Sequence, residues 1–356
     1  MVISSRFQST TDCPERDVKA IADRGTSSGR AVAASAGVLV PATTAAMAAT
    51  IRALPVLRML CGSSRLGSAD GIGVGAAVAD RLIKLRSLDG SAATPPPFVP
   101  GTQPGDYRPT PPNFPAPVFT NWGSIAPFVL RSGQQFRPAP PPPVTSAAYA
   151  AALNEVKSLG QDSSTTRTAD QTAAAKFWAS APIWNTWNEV AQNLAVRRHA
   201  SLERTATVFA NLDLALADAT IGLYDAKYHY QVWRPVTAIR LGDTIGNPRI
   251  TGDPNWTPLA VTAADPSYPG AHSTISQAAA TVLAAFYGDR QPLVITLGGT
   301  TRTFGSFQAA ADEAGLSRIY AGQHTRIDHQ AGQRLGAQVA GFVLDHLETH
   351  LAKPGS

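Results

Sequence analysis

Three short stretches of the 356-residue chain gather lysine, arginine and histidine in a sequence of which only 15% is charged. The first, Lys227-Tyr-His-Tyr-Gln-Val-Trp-Arg234-Pro235, sets two long cationic side chains seven positions apart. On one continuous helix that interval returns to nearly the same face, roughly 10 Å along the axis, so both arms reach one small anion. Arginine offers a planar fork to a tetrahedral oxyanion, and lysine a mobile point charge. The same spacing also describes a solvated cationic face.

The second stretch, Tyr268-Pro-Gly270-Ala271-His272-Ser273, is a tight turn feeding a helix start. Small residues there let backbone approach a ligand, and the unpaired N–H groups and positive dipole end attract an oxyanion. His272 at that mouth suits proton transfer near neutral pH, although a histidine in this position also serves as a capping or packing residue. In the third stretch, Ser317-Arg318 leads to Gln323-His324 and then to Asp328. Asp328 lies one helical turn after His324, and its Cβ vector tilts back toward the imidazole. An orienting carboxylate fixes the tautomer and leaves the other ring nitrogen as a nucleophile or metal-type ligand; the alternative is a surface pair. His324 and His329 miss the one-face rule for zinc, and no cysteine joins them.

Long helices must position these groups. The periodicity predicts helices over 71–88, 147–159, 169–178, 184–196, 202–233, 308–320 and 325–351. Pro235 is expected to end the long 202–233 helix. Another helix should begin near Ser273, where Thr274 and Gln277 form a capping-box pattern. Residues 293–307 read as a small hairpin, 242–268 as a surface excursion, and Gly322 as a hinge. Between 94 and 144 the chain is dense in proline, which forbids helix interior. It carries Phe98, Tyr107, Phe114, Phe119, Trp122, Phe128 and Phe136, rings expected to lie on the helical body.

The reading is therefore all-α, a helical bundle with a long Pro-rich wrapping segment and one small hairpin. Residues 1–68 read as an atypical, poorly ordered leader, 69–146 as a helix plus the wrapping segment, and 147–352 as the catalytic bundle. Thirty Lys and Arg against 25 Asp and Glu leave a net charge of +5 with no basic tract, so nucleic acid is not an expected partner. No uncharged apolar run approaches the roughly 20 residues of a bilayer span, and no clean secretory signal is visible, so a soluble protein is expected with its compartment open. Cys13 and Cys61 form no framework.

Together the three stretches resemble the signature of the vanadium-dependent haloperoxidases and type-2 phosphatidic acid phosphatases, K-x6-R-P, then P-S-G-H, then S-R-x5-H-x3-D. The wider text is similar to the soluble bacterial haloperoxidase branch over about residues 71–351. The resemblance implies that Lys227, Arg234 and Arg318 hold the equatorial oxygens of vanadate or phosphate. It makes His324 the apical ligand of vanadium or, in a phosphatase, the nucleophile. His272 becomes the acid–base group and Asp328 the residue that orients His324. Tyr224 and Trp233 are candidates for a halide-side wall or for ordinary packing. Gly270 and Ala271 stand where the family has Ser-Gly, which removes a hydroxyl contact and keeps backbone donors.

The resemblance further implies a vanadate cofactor, hydrogen peroxide and a halide as reactants, and a small organic substrate. A soluble acid phosphatase with a phosphohistidine intermediate is the alternative, and a non-catalytic oxyanion-binding helical protein a third. Ala-rich helices and the aromatic segment would suit a homodimer. The relatives open with ordered helices unlike residues 1–68, and some are exported.

Overall fold

A computed structural model describes residues 68–95 and 97–351. The expected leader and both cysteines lie almost wholly outside them. The described chain is a helical bundle: α1 (Ser68–Arg86), α2 (Ala147–Leu159), α3 (Ala169–Trp178), α4 (Ile183–Arg197), α5 (Leu202–Tyr230), α6 (Pro235–Arg240), α7 (Ala271–Tyr287), α8 (Phe307–Tyr320) and α9 (Arg326–Leu351). Its sheet is one antiparallel hairpin, β1 (Leu293–Leu297) with β2 (Thr300–Phe304), turning at Gly298 and Gly299, both at positive φ. In β1 the side chains alternate between buried and exposed, as the period of a half-buried strand requires.

The core centres on α7, which packs against α9, α8 and α5. Its Ala278, Ala279, Ala280, Val282 and Leu283 are buried, and small residues let neighbouring backbones approach. Gly332 and Gly336 of α9 allow the closest contact. A Cβ on Gly336 would stand 2.2 Å from the Thr274 carbonyl oxygen, and one on Gly332 2.6 Å from that of Gly270. This contact sets the start of α7 beside the start of α9. Among the described residues α5 alone is long and apolar enough to cross a membrane by length and composition, and 67% of that stretch is buried inside the bundle.

Several elements depart from the sequence reading. The long helix ends at Tyr230, three residues before the expected end, because Gln231 takes the left-handed conformation (φ 46°) and its N–H caps the Lys227 carbonyl. Pro235 does not terminate it. It begins α6 as the first helical residue, where its missing N–H costs nothing. Helix α7 starts two residues early, at Ala271, with Gly270 as its cap, and the expected Thr274–Gln277 capping box does not form. Thr274 instead donates its hydroxyl to the Gly270 carbonyl (2.9 Å). Residues 242–268 are not a surface excursion throughout, since Ile250, Trp256, Asp265 and Ser267 are buried.

The Pro-rich segment does lie on the bundle. Tyr107 and Trp122 are buried, Phe119 packs on Tyr224, and Phe136 on Phe342. Phe114 is the exception, 62% exposed. Two carboxylates of α5 fasten the segment. Asp225 takes a two-pronged ion pair from Arg137 (2.7 and 2.9 Å). Asp218, fully buried, accepts the backbone N–H groups of Phe128, Val129 and Leu130 at 2.7 to 2.8 Å. Asp218→Ala is expected to leave three N–H groups without an acceptor and to lower unfolding stability by about 3 kcal/mol, measured by urea titration.

Candidate active site

The three motif stretches meet at one end of the bundle, at the junction of α5 with α6 and the starts of α7 and α9. Three pieces of extended chain form the floor. Asp106 and Val232 pair as an antiparallel bridge, with Tyr107 N–H on the Gln231 carbonyl (2.6 Å) and Trp233 N–H on the Gly105 carbonyl (2.9 Å). Ser267 N–H reaches the Val232 carbonyl from the other side (2.8 Å). The wrapping segment thus holds the break after α5. Lys227 in the last turn of α5 and Arg234 at the cap of α6 do not share one helix face, contrary to the sequence reading. They converge because the chain reverses between them.

Arg318 arrives with His324 through a Schellman ending of α8. Gly322 (φ 78°) gives its N–H to Ile319, and Gln323 gives its own to the Arg318 carbonyl. A Cβ at Gly322 would stand 2.6 Å from the Gly160 carbonyl oxygen, so glycine is needed for the close approach as well as for φ. This turn sends Gln323 and His324 back toward Arg318 and Arg234. The Gln323 carbonyl accepts from Arg234 Nη1 (2.9 Å), and its side-chain oxygen accepts from Arg318 Nη2.

Lys227, Arg234, Arg318 and His324 are all buried. Arg234 Nη1 stands 3.1 Å from His324 Nε2. A guanidinium only donates, so Nε2 is the acceptor and the ring proton sits on Nδ1, which faces Asp328 Oδ2 at 3.4 Å. The tautomer expected from the sequence follows from these two contacts. Burial, then the Arg234 charge, pushes the His324 imidazole down to about 3, so the ring is neutral with a lone pair on Nε2. Asp328 also accepts from the Ser267 hydroxyl and the Thr325 N–H, both 2.7 Å. Its own N–H returns to Thr325 Oγ1 (3.3 Å), a capping box at the start of α9. Burial alone would raise this carboxyl, but hydrogen bonds from His324, Thr325 and Ser267 outweigh it and hold the group below the usual range.

His272, in the first turn of α7, is partly exposed. Its Nε2 lies 3.1 Å from the Trp178 carbonyl, which only accepts, so Nε2 carries the proton and Nδ1 the lone pair. Burial, then the nearby Arg318 charge, keeps its pKa well below the ordinary value. Of the two backbone donors expected beside it, Gly270 is already committed, its N–H bonded to the Asp328 carbonyl at 2.9 Å. That expectation is corrected for Gly270, whereas Ala271, with His272 and Ser273 in the first turn of α7, has an N–H with no intrahelical acceptor. Trp233 is buried and borders a small cavity with Tyr149, Leu153, Ser267 and Asp328. Its indole donates to the Tyr149 hydroxyl (2.6 Å) and packs in a cluster with Leu153, Val236 and Trp256. Tyr224 packs between Phe119 and Tyr228, with Asp265 in its electrostatic environment. His329 turns away from His324 and bonds the Ser273 hydroxyl (2.9 Å), and among the described residues no cluster of acidic, histidine or cysteine side chains is fit to hold a metal cation.

Sequence reasoning missed three residues: Gln323, Ser267 and Asp265. Asp265 Oδ1 pairs with both Arg234 Nη2 and Lys227 Nζ (3.5 Å for the lysine). A signal was present, since three cations gathered in a dry cage demand counter-charge, and Asp265 lies three residues ahead of the Tyr268 turn.

The donor set suits a tetrahedral oxyanion. Arg318 Nη1 is buried with no protein acceptor, an unmatched charged donor joined through Gln323 to Arg234.

Comparison with known proteins agrees with this chemistry. A family model for the VCPO second helical-bundle domain matches residues 207–353. The crystal structure of the first bacterial vanadium-dependent iodoperoxidase superposes with a TM-score of 0.70 at 30% identity, over 78% of this chain and 69% of that one. The chain belongs to the superfamily of vanadium-dependent haloperoxidases and type-2 phosphatidic acid phosphatases. The holo-type bacterial vanadium-dependent chloroperoxidase shares this superfamily's fold with the chain, at a TM-score of 0.59 and 16% identity over 79% of this chain and 73% of that one. The vanadium chloroperoxidase of Curvularia inaequalis is 28% identical over an alignment of 152 residues that covers 36% of this chain and 24% of that relative's length.

Asp328→Asn would keep an oxygen for the three donors that share Oδ2, namely His324 Nδ1, Ser267 Oγ and Thr325 N–H, but would remove its charge. It is expected to lower turnover about 10- to 100-fold, read from steady-state kinetics, with a smaller loss of stability because these hydrogen bonds are weakened and not lost.

Proposed function

We propose that the protein binds vanadate in this cage and uses hydrogen peroxide to oxidise a halide, which then halogenates a small organic substrate. The observation that carries the reading is the buried Arg318 Nη1 that finds no protein acceptor, tied through Gln323 to Arg234, whose own Nη1 bonds His324 Nε2. Bound there, vanadate would supply Lewis-acid activation of peroxide without a change in metal oxidation state.

The chain's own residues do the rest. Lys227, Arg234 and Arg318 would hold the anion's oxygens, with Ala271 N–H as a backbone donor, and His324 Nε2 would be the ligand atom to vanadium. Burial, opposed by the attraction of Asp265, pushes the Lys227 ammonium down only to about 8, so it is charged at neutral pH. Asp328 and Ser267 hold the imidazole in its tautomer. His272 Nδ1, unprotonated and near the surface, would take a proton from entering peroxide and return it to the leaving water. The balance X⁻ + H2O2 + H⁺ → HOX + H2O consumes one proton per halide oxidised, so a group able to pass protons in from solvent is required.

A phosphatase reading rests on the same imidazole, since a neutral buried ring near Arg234 and Lys227 is also a nucleophile for a phosphoryl group. One series separates the two. Purified protein reconstituted with orthovanadate is tested for peroxide-dependent oxidation of iodide and bromination of a phenol-red-type indicator. Without vanadate it is tested for aryl phosphate hydrolysis. Iodide is the first halide to test, because the relative at 30% identity is an iodoperoxidase. Halide oxidation without phosphate release supports the proposal. Phosphate release alone, lost in His324→Ala, supports the phosphatase, and silence in both from folded protein overturns both.

A further inference from the structure

Asp265 belongs to none of the three motif stretches, yet its carboxylate is the one that meets two of the cage cations. It is buried, with Oδ1 on Lys227 and Arg234, and its backbone carbonyl takes Arg234 Nε at 2.7 Å. We propose that Asp265 sets the charge of the guest, making the cage a seat for a monoanionic tetrahedral oxyanion and disfavouring the dianion. The inference rests on the oxyanion-site reading above and adds to it a selectivity among oxyanions.

The argument is one of charge balance in a dry site. Three buried cations, Lys227, Arg234 and Arg318, stand against two buried carboxylates, Asp265 and Asp328. His272 and His324 are neutral, and the phenols of Tyr107, Tyr224 and Tyr228 around Asp265 are held protonated by burial. One net positive charge remains. A monoanion neutralises it, whereas a dianion leaves a buried charge without a partner, which a low-dielectric interior penalises heavily. Just above neutral pH, orthovanadate is mainly a monoanion and inorganic phosphate mainly a dianion. The cage without Asp265 would hold two net charges and favour phosphate.

Asp265→Asn keeps the shape and removes the charge. Dissociation constants of inorganic phosphate and orthovanadate are measured by calorimetry for both proteins, across a pH series spanning the second ionisation of phosphate. Vanadate, whose second ionisation lies above that of phosphate, stays mainly a monoanion through the phosphate midpoint and there reports any change in the protein itself, so the readout is the phosphate-to-vanadate ratio. In the wild type this ratio is expected to shift about tenfold against phosphate as the dianion forms, and in Asp265→Asn to shift about tenfold toward it. Wild-type protein that binds the dianion as tightly as the monoanion overturns the inference, and so does a variant that gains equally for both anions. If the variant does not fold, the wild-type series decides alone. Absence of vanadate-dependent halide oxidation overturns the proposed function and leaves the phosphate series to judge Asp265. Binding of neither anion overturns both.

Discussion

Arg318→Ala is expected to weaken orthovanadate binding about a hundredfold, while Arg326→Ala changes it by less than about twofold. The two arginines lie eight residues apart on either side of the α8–α9 turn, and the motif resemblance picks out Arg318 and not Arg326. Arg318 is buried, keeps Nη2 on Gln323 and leaves Nη1 without a protein acceptor. Burial, then the Arg234 charge, pushes it down to about 10, so it is charged at neutral pH and an arriving anion relieves that unfavourable state. A charge-assisted hydrogen bond made in such surroundings contributes roughly 2–3 kcal/mol, the source of the hundredfold figure. Arg326 is part-exposed and paired with Glu155 on the surface, where its charge is screened. Equal effects of the two substitutions on calorimetric affinity would remove Arg318 from the site.

His324→Ala should abolish the proposed halide oxidation, with a fall on the order of 10³ in turnover, because it deletes the proposed ligand atom. Arg234 Nη1 then also loses an acceptor, so weaker vanadate binding accompanies the loss, while circular dichroism is expected to stay that of the folded bundle. The pH dependence separates this histidine from the lysine. His324 is pushed down to about 3, so it stays unprotonated at every pH used for assay and contributes no acid limb near neutrality. Lys227 in the free protein loses its proton as pH rises through about 8, so vanadate affinity is expected to decline above that value and not below it. A variant that retains halide oxidation would move the ligand role to another residue.

The bundle was legible where periodicity and end signals agree. Helices at 147–159 and 169–178 fall where the apolar spacing puts them, with Ser146 and Thr168 capping. The hairpin forms at the Gly298-Gly299 turn, and Gly322 breaks α8 from α9 as a glycine past a helix end should. The junction after α5 was not legible. Nothing local distinguishes Gln231 from a residue that continues the helix, and its left-handed conformation is held by pairing with residues 105–107, more than a hundred positions earlier. The conclusion that Lys227 and Arg234 converge was sound, but the expected route, along one helix, was wrong.

From its sequence alone the chain determined which side chains gather at the candidate site, because lysine, arginine and histidine in so weakly charged a text stand out by type and order, and because the carboxylate four residues after His324 is a local relation. Tertiary structure decided what those groups face. It removed Gly270 from the donor set by bonding it to Asp328, sent Trp233 into the core, left one nitrogen of Arg318 unmatched, and brought Asp265 between Lys227 and Arg234. Each of these is a contact between segments distant along the chain, and the charge of a buried site is the sum of everything packed around it, which no single stretch contains.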